Sequence, residues 1–158
     1  MKQFLSRIIT FCFALLFAFS TNENYGYVFA SNDASLDSLM KSWQVTMEQY
    51  YYSYTPDFPV YVNGVSVPDE LLYHVKINNQ PVQMVWYEEG QQVEPSTYQV
   101  TAVYIENQQN VVYIFTLYKG QPVALVNDQF LYENVADGFN FSETANVNLK
   151  QRYDHLYR

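Results

Sequence analysis

Few residues in this chain belong to types that carry out chemistry. Its 158 residues include two histidines, His74 and His155, and one cysteine, Cys12. Nucleophilic catalysis needs a Ser or Cys beside a base that a third group orients. Neither histidine neighbours a serine in a strained turn, and no Gly-x-Ser-x-Gly occurs. His74 is expected on the wet face of a strand beside Lys76, and His155 in the last turn of a C-terminal helix. Both read as surface residues. Zinc would want three or four His, Cys or carboxylate ligands, which two distant histidines do not supply. Five glycines leave no phosphate-cradling loop. The stretch 133–140 has a superficial likeness to a calcium loop but lacks its Asp-x-Asp-x-Asp-Gly spacing. The sequence therefore predicts no catalytic residue, no metal ligand and no cofactor.

Two residue classes keep other roles open. The 16 acids could include a carboxylate pair facing across a cleft, as glycoside hydrolysis requires, and sequence alone neither confirms nor excludes one. The densest acidic pairs, Asp69-Glu70 and Glu88-Glu89, read as solvated surface. Tyrosine is abundant at 16 residues. Its flat ring and hydroxyl suit sugar or protein recognition, but Tyr98, Tyr104, Tyr113 and Tyr118 fall at strand positions that packing explains. The net charge of −8 argues against nucleic acid and anionic lipid surfaces as partners.

The elements that must position these residues begin with an export signal. Lys2 and Arg7 precede a run at 8–19 that is almost wholly apolar and too short to span a bilayer. Cleavage before Thr21 or before Ser31 is expected, leaving a secreted or envelope-associated protein without a stable transmembrane segment. Cutting before Thr21 keeps 138 of the 158 residues, one domain's worth, and takes the charge from −8 to −10. Phe11 before Cys12 argues against lipid attachment there. An exported chain whose mature part has no cysteine fits a Gram-positive bacterium better than a small eukaryotic secreted domain.

The organisation reads as a signal peptide at 1–20, a flexible leader at 21–33 and a single domain at 34–158. Leu36, Met40, Trp43, Met47, Tyr50, Tyr51 and Tyr54 form one stripe of an amphipathic helix that ends before Pro56. Trp43 and Met47 are expected to be buried. Tyr52 and Val45 fall on the opposite face and are the candidate partner contacts. The period then changes to two. Val60-Tyr61-Val62 and Val65-Ser66-Val67 bracket Asn63-Gly64, a strong hairpin signal. One helical turn at 68–71 follows, then a strand with Tyr73, Val75 and Ile77 inward. Further strands are expected at 82–87, 98–105, 111–118 and 122–126, the second and third of these apolar on both faces. Ser142 or Thr144 caps a last helix presenting Ala145, Leu149, Tyr153 and Leu156 on one side. The fold class is α+β: an amphipathic helix, an antiparallel meander of about five to seven strands, and a C-terminal helix, with the helices on one face of the sheet.

Four segments occur in one order: Trp43-x3-Met47-x-Gln49-x-Tyr51-x2-Tyr54, Gly64-Val65-Ser66-x-Pro68-x2-Leu71, Gly120-Gln121-Pro122-Val123-x-Leu125-Val126 and Phe141-x-Glu143-Thr144-x-Asn146-x2-Leu149. Together they resemble an uncharacterised family of small exported and lipid-anchored proteins of lactic-acid and related Gram-positive bacteria, domain of unknown function four-seven-six-seven. The resemblance covers about 36–156. It is poorest between Glu88 and Gln109, and the lipidation cysteine of some members is missing here. It implies an address and a shared architecture, and no site residues. The function expected is a non-catalytic envelope or extracellular module that binds a protein or an envelope glycan. Two alternatives are a carboxylate-dependent envelope hydrolase and a small acidic inhibitor or immunity-type protein.

Overall fold

The computed structural model describes residues 35–157, so the expected signal peptide and the whole of the expected leader lie outside the described residues. Ser35 starts the first helix, α1 (Leu36–Met47), its hydroxyl accepting from the Ser38 N–H at 3.2 Å. Leu39, Met40 and Trp43 form its buried stripe. The helix stops well short of Pro56. Glu48 turns left-handed (φ 53°), and Tyr51–Tyr54 is the edge strand β1. An aromatic run prefers a pleated, half-buried surface, and antiparallel pairing with a long strand over 98–106 outweighs the helical period. Gln44 Nε2 donates to the Tyr51 carbonyl at 3.0 Å and ties the turn together. Two expectations are corrected by this. Met47, at the frayed end, is 40 % exposed rather than buried, and Tyr52 is not on a helix at all.

The hairpin forms as expected, with β2 (Val60–Val62) and β3 (Val65–Val67) joined through Asn63 and Gly64, both at positive φ. A short helix, α2 (Asp69–Leu72), leads to β4 (Val75–Ile77). Tyr73 belongs to the end of α2 and points to solvent instead of inward. Asn78 and Asn79, again at positive φ, turn the chain into β5 (Gln80–Pro81), which precedes β6 (Met84–Trp86). The meander is β7 (Tyr98–Glu106), β8 (Val112–Tyr118) and β9 (Gln121–Asn127). A strand that the expected elements omitted, β10 (Phe139–Glu143), follows, and then α3 (Val147–His155). The cap of α3 is Asn146, whose Oδ1 accepts from the Leu149 N–H at 3.1 Å, rather than Ser142 or Thr144. Ala145 is consequently exposed, outside the helix.

The main sheet runs β1-β7-β8-β9-β10-β4-β5, with β6 also paired to β7. With the separate hairpin the described residues hold ten strands, more than the expected five to seven. Most pairs are antiparallel; β10–β4 and β6–β7 are parallel. Alternation along β8 divides the core in two. Tyr113 and Phe115 face α1 and α3, against Trp43, Leu149 and Tyr153. Val112 and Ile114 face the hairpin and α2, against Val65, Leu71 and Phe139. The central strands are apolar on both faces because both are covered. No helix among the described residues is long and apolar enough to cross a membrane.

Candidate functional site

The residues of chemically competent type do not converge. His155 is exposed at the end of α3, and His74 is half-buried between α2 and β4, where its carbonyl accepts from the Phe139 N–H at 2.8 Å. Among the described residues no group of three or more His, Cys, Asp or Glu is placed to hold a metal ion. The stretch 133–140 is a structural latch. The Glu133 carboxylate accepts from the Asn127 amide and from the Asn140 N–H, while Asn134 and Asp137 bond each other. Gly138 stands at φ +73°, where a Cβ would lie 2.8 Å from the His74 carbonyl oxygen. Glu106, only 4 % exposed, accepts from the Gln108 N–H at 3.0 Å and so closes the β7–β8 turn.

The tyrosines serve packing to a large extent. Tyr98 and Tyr118 are directly opposed across β7 and β8, with ring centroids 4.2 Å apart and planes nearly parallel. Tyr104 and Tyr113 are likewise register partners. Burial raises the pKa of Tyr51, Tyr104, Tyr113 and Tyr153, because a phenolate would be desolvated.

Tyr52 is 56 % exposed on β1, and Val45 is 69 % exposed on α1. They do not share one helical face. Tyr51 packs toward the helices, so Tyr52 turns to the other side of the sheet, away from α1.

The site that does take shape is a groove of about 810 Å³ between α2 and the chain leading through β6. One wall is Asp69, Leu72 and Tyr73; the other is the continuous run 81–86, with Glu88 and Gln91 beyond it. Trp86 is half-buried against the core, and its indole N–H points to Asp69 Oδ1 at 3.4 Å. Tyr73 is 84 % exposed. The lining contains two carboxylates, two glutamine amides and two aromatic rings but no Lys, Arg or His. Such a surface suits a neutral or cationic ligand with an apolar face, and it repels phosphate or carboxylate groups. A smaller depression of about 230 Å³ beside α3 is crossed by the Lys150–Glu143 ion pair at 2.5 Å.

Sequence reasoning missed this groove. It placed Tyr73 inside a strand, Trp86 in an ordinary strand and Asp69 on a solvated acidic surface. The available signal was small: one of only two tryptophans lies two residues before an acidic pair. No curated protein and no solved structure matches this chain. A family model does match, over residues 29–157, and the chain belongs to the family described as Domain of unknown function (DUF4767).

Proposed function

We propose that this protein is a non-catalytic binding module of the cell envelope or extracellular space, and that the groove between α2 and β6 is its ligand site. The observation that carries this reading is the convergence of Trp86, Tyr73, Asp69 and Glu88 on one open groove. Aromatic faces with carboxylates and amides at the rim are the usual means of holding a ligand without reacting with it. The basic, apolar start of the chain supports the extracellular address. Tyr52 and Val45 lie outside the groove lining, so recognition falls to Trp86 and its neighbours instead.

The two tryptophans make the test direct. Trp43 is 1 % exposed and Trp86 only partly buried, so ligand-induced changes in tryptophan emission and acrylamide quenching report on Trp86. Envelope extract or a defined glycan set should shift that emission, Tyr73→Ala should weaken the response with the reporter still in place, and Tyr52→Ala should preserve it. A response that survives unchanged in Tyr73→Ala places binding elsewhere.

A carboxylate-dependent hydrolase is favoured by one specific observation, that Asp69 and Glu88 line the same groove. Release of reducing sugar from envelope polysaccharide, lost in both Asp69→Asn and Glu88→Gln, would establish it. Binding without turnover would leave the module reading.

A further inference from the structure

We infer that the groove takes an extended, basic segment of a partner polypeptide, which adds a strand to the free edge of β6 and sets its Lys or Arg side chains against Asp69 and Glu88. This rests on the groove being the ligand site, and it names the occupant.

The first support is the run of lining residues. Side chains of a strand alternate between faces, so a pocket on one face is lined by every second residue. Here all three successive residues of β6, Met84, Val85 and Trp86, line the groove, together with the residues 81–83 that lead into it. The groove therefore borders the backbone edge of this chain and not one face of it. The second support is the hydrogen-bond register. Tyr98 N–H donates to the Gln83 carbonyl at 2.9 Å, and Tyr87 N–H donates to the Val100 carbonyl at 2.8 Å. In a parallel pair the intervening residue Val85 also bonds β7, and Met84 and Trp86 turn their N–H and C=O groups the other way. No backbone partner for Met84 or Trp86 is found on that side among the described residues. An open edge with a donor and acceptor every second residue matches the main chain of an extended peptide, and a sugar does not present that repeat.

Charge selects among peptides. The groove carries carboxylates and no cationic side chain, and the whole chain has a net charge of −8. A Lys or Arg side chain can lay its apolar stem on Trp86 or Tyr73 and its head at Asp69 or Glu88. A second copy of this chain would bring like charge to the same edge, which disfavours it as the occupant.

The test titrates the full chain with an end-blocked heptapeptide of alternating Lys and Val, following Trp86 emission. Parallel titrations use its Gln-for-Lys counterpart, the same Lys peptide N-methylated at alternate backbone nitrogens, and a chitin tetrasaccharide. The Lys peptide should bind, weaken about tenfold or more between roughly 20 and 200 mM salt, and protect the Met84 and Trp86 amides from hydrogen exchange. The double variant D69N/E88Q should lose about tenfold in affinity, a factor well outside titration error. N-methylation should cost at least as much, because it removes strand pairing and leaves charge intact. Equal binding of the N-methylated peptide overturns edge pairing, and equal binding of the Gln peptide overturns the basic requirement. If only the tetrasaccharide shifts Trp86, the groove remains a ligand site and the polypeptide occupant is wrong. Protection of Met84 by self-association alone makes a second copy the occupant. If no probe reaches Trp86, the groove reading falls with this one.

Discussion

Trp43 and Gly138 illustrate how much a single residue can be required to do. Trp43 fills the space between α1 and the sheet, with its indole N–H beside the Tyr113 hydroxyl but not in hydrogen-bond geometry. Trp43→Ala should cost about 3 to 5 kcal/mol, the range for truncating a buried aromatic, and a urea titration would measure it. Against a typical total of about 5 to 15 kcal/mol, that loss threatens the fold. Gly138 and Gly120 share a positive φ, yet they differ in surroundings. A Cβ at Gly120 meets nothing within 4 Å, while one at Gly138 collides with the His74 carbonyl. Gly120→Ala should therefore cost only the left-handed penalty of about 1 kcal/mol, and Gly138→Ala clearly more, measured in the same titration. Tyr52→Ala removes a ring that solvent already reaches, so its melting temperature should stay within a few degrees of the parent.

At the scale of elements, the Asn63-Gly64 turn was legible because left-handed backbone at two successive positions selects these residues. Asn63 also has a role no local pattern announces. Its Nδ2 donates to the Phe130 carbonyl and, at 2.9 Å, to the Glu133 carbonyl, pinning the hairpin to the loop before β10. Asn63→Gly keeps the turn but drops both bonds. It should cost about 1 to 2 kcal/mol in chemical denaturation, the usual scale for losing partners of half-buried carbonyls. The errors of sequence reading have physical causes. Tyr50 to Tyr54 kept a helical spacing, but pairing of Tyr51–Tyr54 with β7 is a long-range gain invisible in any window. In β10, Phe139 and Phe141 alternate with Asn140 and Ser142, a period-two signal too short to outweigh the helix cap read nearby. The groove was illegible for a related reason. Asp69 and Tyr73 meet Trp86 and Glu88 only after the chain has passed through β4 and β5, and no local pattern links the four.

At the scale of the whole molecule, the tyrosines that pack the helix layer set its response to alkali. Tyr51, Tyr104, Tyr113 and Tyr153 are all buried there. Tyr153 donates to the Thr116 carbonyl at 3.1 Å and lies 3.0 Å from the Thr101 hydroxyl, so its proton is held inside the sheet–helix contact. Burial raises all four, Tyr104 to about 12, from an ordinary value of 10.0. A phenol whose folded pKa is raised binds its proton more tightly in the native state than in the unfolded one. Its contribution to stability is complete below the unfolded pKa near 10 and is lost as pH rises toward the folded value. Each such group adds at most about 1.4 kcal/mol of lost stability per pH unit above 10, and four acting together make the loss steep. The urea midpoint should therefore show little tyrosine-linked change between pH 8 and pH 9.5 and then fall sharply by pH 11, with the share of the 295 nm phenolate absorbance that belongs to the four buried rings appearing only together with unfolding. Tyr153→Phe removes one titrating group and should make that alkaline fall shallower, at the expense of the bond to Thr116 near neutral pH. Early phenolate absorbance equivalent to all the tyrosines, without loss of helix signal, would mean that these rings are open to solvent and that the helix layer does not seal the sheet.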